Sequence, residues 1–355
     1  MFRIRRVGAS SCEEGANSVE GEGVVESISP VIVSRPERRG RSWSGIAESA
    51  ALPFVWLLVI VFFGVMRPET FLSFSNFQSI FGTQAPLLVL AVAILLPLTA
   101  GDYDLSAASI LVLSSLVVGI LNVEAHWPII FALLAAIAVG GVVGAINGFL
   151  IVILRVDSFI ATLGMGTFLS GIALWISGSN TITGISTSYS NWTISNRWLG
   201  LSLMFYYGLG IMIVVWYVLE YTSTGRRMLF VGQNQNVARL SGVSVGRSRW
   251  FALIGAGVLS AVAGILYAGM LGAADPSSGL SFLLPAFAAA FLGATTIKPG
   301  RFNALGTFIA VYFLSTGVNG LTAMGASSFA QDLFYGGGLV VAVAAAQLVK
   351  RRGAA

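Results

Sequence analysis

Charged residues are scarce in this sequence. Asp, Glu, Lys and Arg make up 10% of its 355 residues, whereas hydrophobic residues make up 56%. A soluble globular chain carries about 25% charged residues, so the composition excludes an ordinary soluble domain and indicates a polytopic membrane protein. The single cysteine, Cys12, excludes a disulfide framework and a cysteine-based metal site. The single histidine, His126, excludes a multi-histidine metal or catalytic cluster.

Nucleotide-binding and catalytic motifs are also missing. The sequence contains no G-x-x-x-x-G-K-[S/T] phosphate loop, so the chain has no P-loop site for ATP. It contains no cluster of reactive polar side chains, so we expect neither an enzyme nor a bound metal or cofactor in this chain. The net charge of +5 comes from basic residues in loops beside apolar runs. This placement predicts a positive-inside membrane topology rather than nucleic-acid binding.

Apolar runs follow one another along most of the chain. A helix needs about 20 mostly apolar residues to cross a bilayer, and the sequence predicts about ten such spans in an all-α polytopic membrane protein. The predicted spans are residues 50–66, 77–98, 104–122, 128–154, 158–177, 201–220, 250–273, 282–297, 303–321 and 329–349. They define a membrane domain over residues 49–350.

The two ends of the chain lie outside these runs. Residues 1–48 mix glutamates with arginines and lack a sustained apolar stretch, so they are predicted to be a disordered cytoplasmic tail. A regulatory docking arm is the alternative interpretation of this tail. Residues 351–355 are predicted to be a short cytoplasmic tail.

The basic residues fall on one side of the predicted spans. With the N-terminus inside, the tails and the even-to-odd connections hold all of the 20 Lys and Arg residues except Arg67 and Arg197. Loops rich in Lys and Arg stay in the cytoplasm. Both termini are therefore predicted to be cytoplasmic.

One polar, basic segment, Glu220–Trp250, interrupts the apolar runs between spans six and seven. It carries five arginines and no acidic residue after Glu220, so we expect it on the cytoplasmic side, where a soluble partner could bind it. Inside it, Asn234-Q-N-V-A-R-L-S-Gly242 predicts a short helix. Asn234 is the predicted N-cap, and Gly242 is the predicted C-terminal stop.

A few polar groups lie within or between the predicted spans. Asp102 and Asp104 lie between spans two and three, and buried carboxylates often mark transport pathways. The alternative is a wetted cytoplasmic turn, in which Asp104 or Ser106 caps the next helix. Neutral polar groups within the spans suit a hydroxyl-rich solute, but they are also ordinary hydrogen-bonding groups between helices. These neutral groups are Gln84, Asn147, Thr162, Ser170, Asn319 and Gln331.

The predicted external loop Gly178–Gly200 is polar and contains three aromatic residues, Tyr189, Trp192 and Trp198. Aromatic residues at this position are typical of a belt at the level of the lipid headgroups. The alternative is that the loop contacts a protein that delivers a substrate.

Four segments resemble, in order, the motifs of one family. Thr99-A-G-D-Y-D-L-Ser106 is similar to T-G-G-I-D-L-S, and Asn147–Gly164 is similar to N-G-x-x-[V/I]…V-x-x-F-I-x-T-L-G. Thr224–Val245 is similar to F-G-R-x-x-x-A-x-G-x-N-x-x-A-A-R-L-S-G-I, and Phe291–Thr307 is similar to G-G-x-S-x-x-G-G-x-G-x-x-x-G-T. Over roughly residues 50–350, the chain resembles the permease subunits of bacterial ABC importers for monosaccharides, the ribose-type branch.

This resemblance implies a multi-pass protein of the bacterial cytoplasmic (inner) membrane that imports a monosaccharide or similar small polyol. It implies a homo- or heterodimer of permease subunits, an ABC ATP-binding subunit that holds ATP and Mg²⁺, and an extracytoplasmic sugar-binding protein. The short helix then corresponds to the helix that couples the permease to the ATPase. Its predicted residues are Asn234, Val237, Ala238, Arg239, Leu240 and Gly242, whose apolar and basic side chains suit an apolar groove with an acidic rim. The predicted translocation pathway comprises Asp104, Asn147, Thr162 and Asn319.

The sequence departs from the family pattern at three places. Asp102-Tyr103 replaces a small and aliphatic pair, Lys298-P-G-R-F-Asn303 replaces a glycine-rich turn, and Asp157-Ser158 replaces apolar or proline residues. Two other classes of function compete with the import permease. A self-sufficient secondary transporter often shows inverted repeats and buried ionisable coupling sites, and a membrane enzyme or scaffold is the third class.

Overall fold

The computed structural model describes residues 43–354. These residues are mostly helical. The helices are α1 Trp43–Met66, α2 Pro68–Phe71, α3 Phe74–Thr83, α4 Ala85–Ala100, α5 Ala107–Gly119, α6 Ile129–Gly148, α7 Ser158–Ile176, α8 Thr187–Ser190, α9 Leu203–Tyr221, α10 Ser223–Gln233, α11 Gln235–Leu240, α12 Val245–Leu271, α13 Gly279–Gly293, α14 Ala304–Ala323 and α15 Ser328–Ala354. The π-helical turns Ile120–Glu124, Phe149–Ile153 and Asn191–Ser195 extend α5, α6 and α8.

Both predicted tails can be compared with these bounds. Residues 1–42 of the predicted N-terminal tail lie outside the described residues. Helix α1 begins at Trp43, inside the predicted tail 1–48, and α15 continues to Ala354 through most of the predicted tail 351–355. The helices at both ends are therefore longer than the apolar runs from which their spans were predicted.

Within the described residues, eight helical segments are long and apolar enough to cross a membrane. They are Ser49–Met66, Phe74–Ala100, Ala107–Glu124, Ile129–Ile153, Ser158–Ile176, Leu203–Tyr221, Val245–Leu271 and Ala304–Ala323. Two shorter apolar stretches, Ser281–Gly293 and Ser328–Ala344, lie where the other two spans were predicted. Helix α13 has 15 residues and covers about 22 Å at 1.5 Å per residue, less than the ~30 Å hydrocarbon core. Length and composition thus support eight of the ten predicted spans.

Two helices form the centre of the fold. Every residue of α4 is buried, and α12 packs against α4, α5 and α6. The α6–α12 contact is close because glycines face each other. A Cβ on Gly140 would lie 2.4 Å from the carbonyl oxygen of Gly257, and a Cβ on Gly257 would lie 2.2 Å from that of Gly140. Small residues of this kind let helix backbones approach one another within a membrane.

The outer helices expose their apolar side chains. Phe54 and Phe62 on α1, Phe168 and Trp175 on α7, and Val214 on α9 are all exposed. In a soluble protein, apolar patches of this extent would promote aggregation or binding. In a bilayer they face a medium as apolar as themselves, which agrees with the predicted membrane fold.

The loop Gly178–Gly200 is folded rather than extended. Its strand β1 (Ile182–Thr183) pairs antiparallel with β4 (Ala273–Ala274) directly after α12, and β2 (Arg197–Trp198) forms a hairpin with β3 (Leu201–Ser202). Tyr189 is buried, and its hydroxyl donates a hydrogen bond to the Ile265 carbonyl oxygen at 2.6 Å. The prediction of three surface aromatics is therefore wrong for Tyr189, whereas Trp192 and Trp198 are exposed.

Candidate functional site

The polar segment after α9 folds into two helices, of which α10 lies against the end of α4 and α11 packs against α10 and α12. Helix α10 packs against α4 and α9, and its N-cap Thr222 accepts a hydrogen bond from the Gly225 amide at 3.3 Å. A Cβ on Gly232 would lie 2.1 Å from the Thr99 carbonyl oxygen. Only glycine allows this backbone contact, so Gly232 fixes α10 over the last turn of α4.

The short helix α11 begins and ends where the sequence predicts. The Asn234 side-chain oxygen accepts hydrogen bonds from the backbone amides of Asn236 and Val237, at 3.0 and 3.1 Å. Gly242 follows the helix with a φ of +78°, a left-handed conformation that favours glycine. The predicted N-cap and C-terminal stop are thus confirmed.

The two faces of α11 differ. Ala238 is buried in a small cluster with Val231 and Val245, so it anchors the helix to α10 and α12. Ala238 therefore faces the interior of the protein and not the exposed side of the predicted coupling helix. Leu240 is 89% exposed, and Val237 is also exposed. Arg239 and Asn234 are exposed as well, so α11 presents an apolar tip beside a positive charge.

The link between α4 and α5 carries both predicted carboxylates, and both are buried. Asp102 is 2% exposed and forms two hydrogen bonds with the Arg249 guanidinium: Nη2 to Oδ1 at 2.6 Å and Nε to Oδ2 at 2.7 Å. The turn is exposed at Gly101 and Tyr103, so the expectation of a wetted turn fails only for the Asp102 side chain, which is buried and paired with a charge of opposite sign. Arg249 lies 147 positions away on α12, so no local pattern indicates this pair.

Asp104 is fully buried at the start of α5. Its Oδ1 accepts hydrogen bonds from the Ser106 amide at 3.0 Å and from the Ser106 hydroxyl at 2.6 Å. Asp104 therefore closes the turn before α5, in line with the capping alternative, while Ser106 itself makes no side-chain cap. Burial raises the pKa of the Asp104 carboxyl above its usual value, and the hydrogen bonds from Ser106 oppose this shift only in part.

Two further predicted residues join this link from neighbouring helices. Asn147 on α6 donates from Nδ2 to the Ser106 hydroxyl at 2.8 Å. The Thr162 hydroxyl on α7 accepts a hydrogen bond from the Leu105 amide at 3.1 Å. Both side chains are fully buried. The structure thus brings Asp104, Asn147 and Thr162 together as groups that tie the link to α6 and α7.

The fourth predicted pathway residue, Asn319, is placed elsewhere. It is half-buried on α14, a helix that packs against α1, α4, α9, α13 and α15. The four predicted residues therefore do not form one site. The three that cluster have no solvent access in this conformation, which favours a packing role over the lining of an open path.

A second charged cluster was not anticipated. Glu220, in the last turn of α9, forms salt bridges with two residues of the turn between α13 and α14. Lys298 Nζ lies 2.5 Å from Glu220 Oε2, and Arg301 Nη2 lies 3.5 Å from Glu220 Oε1. In the sequence, this basic turn stands out only as a departure from the family motif. An isolated glutamate at the end of an apolar span is the signal that could have indicated a basic partner.

The same turn is closed by Asn303. Its Nδ2 donates to the carbonyl oxygens of Gly293 and Thr296, and its Oδ1 accepts from the Gly306 amide at the start of α14. Among the described residues, no group of three or more His, Cys, Asp or Glu side chains could hold a metal ion.

A mostly helical polytopic membrane fold with a polar segment that projects one exposed helix agrees with a membrane transport subunit. The chain belongs to the family described as branched-chain amino acid transport system / permease component, whose model matches residues 76–343. It is therefore a permease component, and it is a multi-pass protein of the bacterial cytoplasmic (inner) membrane.

Curated relatives cover most of the chain. The ribose import permease protein of Bacillus subtilis (strain 168) is 33% identical over 308 residues, which covers 86% of this chain and 95% of the relative. The D-allose transport system permease protein of Escherichia coli (strain K12) is 29% identical over 298 residues, covering 84% and 91%. The autoinducer 2 import system permease protein of Enterobacter sp. (strain 638) is 31% identical over 268 residues, covering 73% and 76%. No solved structure matches the chain.

Two of these relatives are named as import permeases, and the D-allose relative is named as a transport system permease. They support the predicted import permease over a self-sufficient secondary transporter. They also agree with the resemblance to the ribose-type branch. Two of the relatives are named for ribose and D-allose, which are both monosaccharides.

Proposed function

We propose that this chain is the membrane-spanning permease subunit of an ABC importer that moves a monosaccharide or similar small polyol inward. Relatives named for ribose and D-allose support a sugar, although the family description names branched-chain amino acids. ATP and Mg²⁺ bind to a separate ATP-binding subunit, and this chain is not itself an enzyme. The missing phosphate loop supports this division of labour.

The proposed topology has ten crossings and two cytoplasmic termini, with α13 and α15 as the two crossings of shorter apolar length. The distribution of Lys and Arg supports this orientation, because α10 and α11 then lie on the cytoplasmic side with their arginines. The loop Gly178–Gly200 lies on the opposite side. Its exposed Trp192 and Trp198 are suited to contact an extracytoplasmic sugar-binding protein.

One observation carries the coupling assignment: Leu240 is 89% exposed at the end of a capped helix. An apolar side chain on a polar loop loses contact with water only if a partner covers it. We assign α11 as the helix that docks into the ATPase, with Val237, Arg239 and Leu240 as contacts. Asn234 and Gly242 fix the ends of this helix, and Ala238 anchors it from beneath.

The complex contains a second permease subunit, as the family resemblance implies. Of the proposed pathway residues, Asn319 is the one with partial exposure. Asp104, Asn147 and Thr162 are assigned to the packing of the helices that surround the pathway, because all three are fully buried.

The test replaces the exposed contacts of α11. Leu240→Asp places a charge in an apolar groove, and Arg239→Glu reverses the charge that faces an acidic rim. We expect each to abolish uptake of the probe sugar, D-ribose or D-allose, and to reduce co-purification with the ATPase, while the amount of inserted permease stays unchanged. Arg247→Glu is the matched control, since Arg247 is exposed on the first turn of α12. Uptake that survives both α11 changes would show that the coupling assignment is wrong.

A second measurement separates the two transport classes. Uptake should require the partner ATPase and resist a protonophore while ATP is maintained. Transport by this chain alone would instead support a secondary transporter, whose driving force is an ion gradient.

A further inference from the structure

The coupling segment, defined here as Thr222–Ser244 with α10 and α11, is joined to the membrane helices at two roots. The first root is the end of α9, where Glu220 lies two residues before the segment. The second root is the start of α12, where Arg249 lies in the second turn. Both residues form ion pairs, and in each case the partner belongs to a distant part of the chain.

The pair at the second root is buried and directional. Arg249 is 19% exposed and Asp102 is 2% exposed, and their two hydrogen bonds form a bidentate contact. Such a contact fixes the orientation of both groups, because the planar guanidinium matches the carboxylate. The Asp102 amide also donates to the Pro97 carbonyl oxygen at 2.9 Å, which fixes Asp102 to the end of α4.

This pair also lies next to α11. Gln235 and Arg239 of α11 line the same polar cavity as Asp102 and Arg249. The ion pair, which joins the link after α4 to the start of α12, therefore lies beside α11 across one shared cavity.

The pair at the first root is more exposed. Glu220 is 13% exposed, but Lys298 is 46% exposed, so solvent weakens this contact. Arg301 also lines one cavity with Leu229 and Gly232 of α10. The turn between α13 and α14 is therefore tied to α9 by charge and lies beside α10.

We propose that these two ion pairs are clamps that make the coupling segment move as one body with α4, α12 and the α13–α14 turn. Asp102, Arg249, Glu220, Lys298 and Arg301 are positioning residues: they transmit a displacement of α11 and touch neither substrate nor ATP. Asp102, Lys298 and Arg301 lie at positions where this sequence departs from the family motifs, and the clamps give those departures a function. The proposal rests on the coupling role of α11, but its test does not.

The first experiment reads the motion of α11 without any partner. A spin label is attached at Leu240→Cys in a Cys12→Ser background, which leaves one cysteine, in the full chain reconstituted in nanodiscs. We expect Asp102→Asn to increase the mobility of the label severalfold, because Arg249 loses its bidentate acceptor. The double change Lys298→Gln with Arg301→Gln should increase it less, because that pair is solvated. Asp332→Asn, an exposed residue on α15, is the matched control and should leave the mobility unchanged.

A double-mutant cycle distinguishes the ion pair from a general loss of packing. Asp102→Asn and Arg249→Gln each remove the same contact, so the label mobility of the double variant should equal that of either single variant rather than show the sum of the two effects. Additive effects of the two changes, or an unchanged label in Asp102→Asn and in the Lys298 and Arg301 variant, would overturn the proposal. If Asp102→Asn does not fold, the solvated pair alone provides the test.

The second experiment uses the complete importer in proteoliposomes with the probe sugar that the parent imports. We expect Asp102→Asn to lower the sugar imported per ATP hydrolysed about fivefold or more, the scale of ordinary coupling energies, while the ATPase stays bound. An unchanged ratio together with an unchanged label refutes the clamps. A third outcome separates the two proposals. If the clamp variants change the label mobility but Leu240→Asp still imports the sugar, the ATPase role of α11 is refuted and the clamps remain supported.

Discussion

The contact between α6 and α12 gives a sharp test of the fold. A Cβ on Gly140 would lie 2.4 Å from the Gly257 carbonyl oxygen and 2.5 Å from the Ala261 Cβ. Both neighbours are fixed to the backbone of α12, so neither can rotate away. Gly140→Ala therefore forces the two helices apart by about 1 Å, because an ordinary contact of this kind is about 3.5 Å.

The magnitude follows from two opposed effects. Alanine is the better helix former, which favours the variant by about 1 kcal/mol. Overpacking of a close contact costs about 1–3 kcal/mol, and a rigid backbone neighbour places Gly140 at the upper end. We expect Gly140→Ala to lower the free energy of unfolding by about 1–2 kcal/mol. Gly257→Ala should do the same, since its Cβ would lie 2.2 Å from the Gly140 carbonyl oxygen.

The double variant adds a second criterion. One separation of the helices relieves both clashes, so Gly140→Ala with Gly257→Ala should cost much less than the sum of the single changes. The control is Gly141→Ala, whose Cβ would make an ordinary contact of 3.5 Å with a Val258 methyl group. This variant should be neutral or more stable than the parent.

The assay is reversible unfolding of the purified chain in mixed micelles, titrated with SDS and followed by tryptophan fluorescence. Equal stability of the Gly140→Ala and Gly141→Ala variants would refute the close approach of α6 and α12. Strict additivity of Gly140→Ala and Gly257→Ala would refute their direct contact.

Two further predictions concern single side chains. Asn234→Ala removes an N-cap and should destabilise α11 by about 1 kcal/mol. Hydrogen exchange of the Val237 amide should then be about fivefold faster than in the parent. In the control Asn234→Asp, which keeps the hydrogen-bond acceptor, the Val237 amide should exchange as in the parent. Burial raises the folded-state pKa of Asp104 from its usual value of 3.8, so its contribution to stability is complete below that value and is lost as the pH rises through the folded pKa. Asp104→Asn should therefore become more stable relative to the parent as the pH rises from 4 to 8 in the same unfolding assay, and a constant difference across this range would contradict the raised pKa.

Local patterns predicted the parts of the structure that depend on neighbours in sequence. The caps of α11 are an example, because Asn234 and Gly242 act on backbone groups within a few residues. Eight predicted spans correspond to helices of sufficient length for the same reason, since an apolar run must itself satisfy its backbone hydrogen bonds in a membrane. Helix α13 differs because the chain turns directly after it: Asn303 donates hydrogen bonds to the carbonyl oxygens of Gly293 and Thr296 and so closes the turn before α14.

The sequence does not predict which side of α11 faces the interior of the protein. Six residues make fewer than two turns, so the positions of Val237, Ala238 and Leu240 do not define which side faces inward. Contact with Val231 and Val245 decides this by burying Ala238. The exposed set, Val237 and Leu240, is thus fixed by packing outside the helix.

The ion pairs join residues that are 147 and 78 positions apart, and no periodic pattern connects such positions. Their presence nevertheless explains a compositional fact. Acidic residues are costly in a chain of this kind, and each one that is buried near α10 and α11 has a basic partner or a hydrogen-bond donor. Acidic residues contribute little to the orientation of a membrane protein, so topology alone gives Asp102 and Glu220 no role. Their pairing with Arg249, Lys298 and Arg301 gives them one, because the pairs hold both ends of the segment that we propose a partner moves.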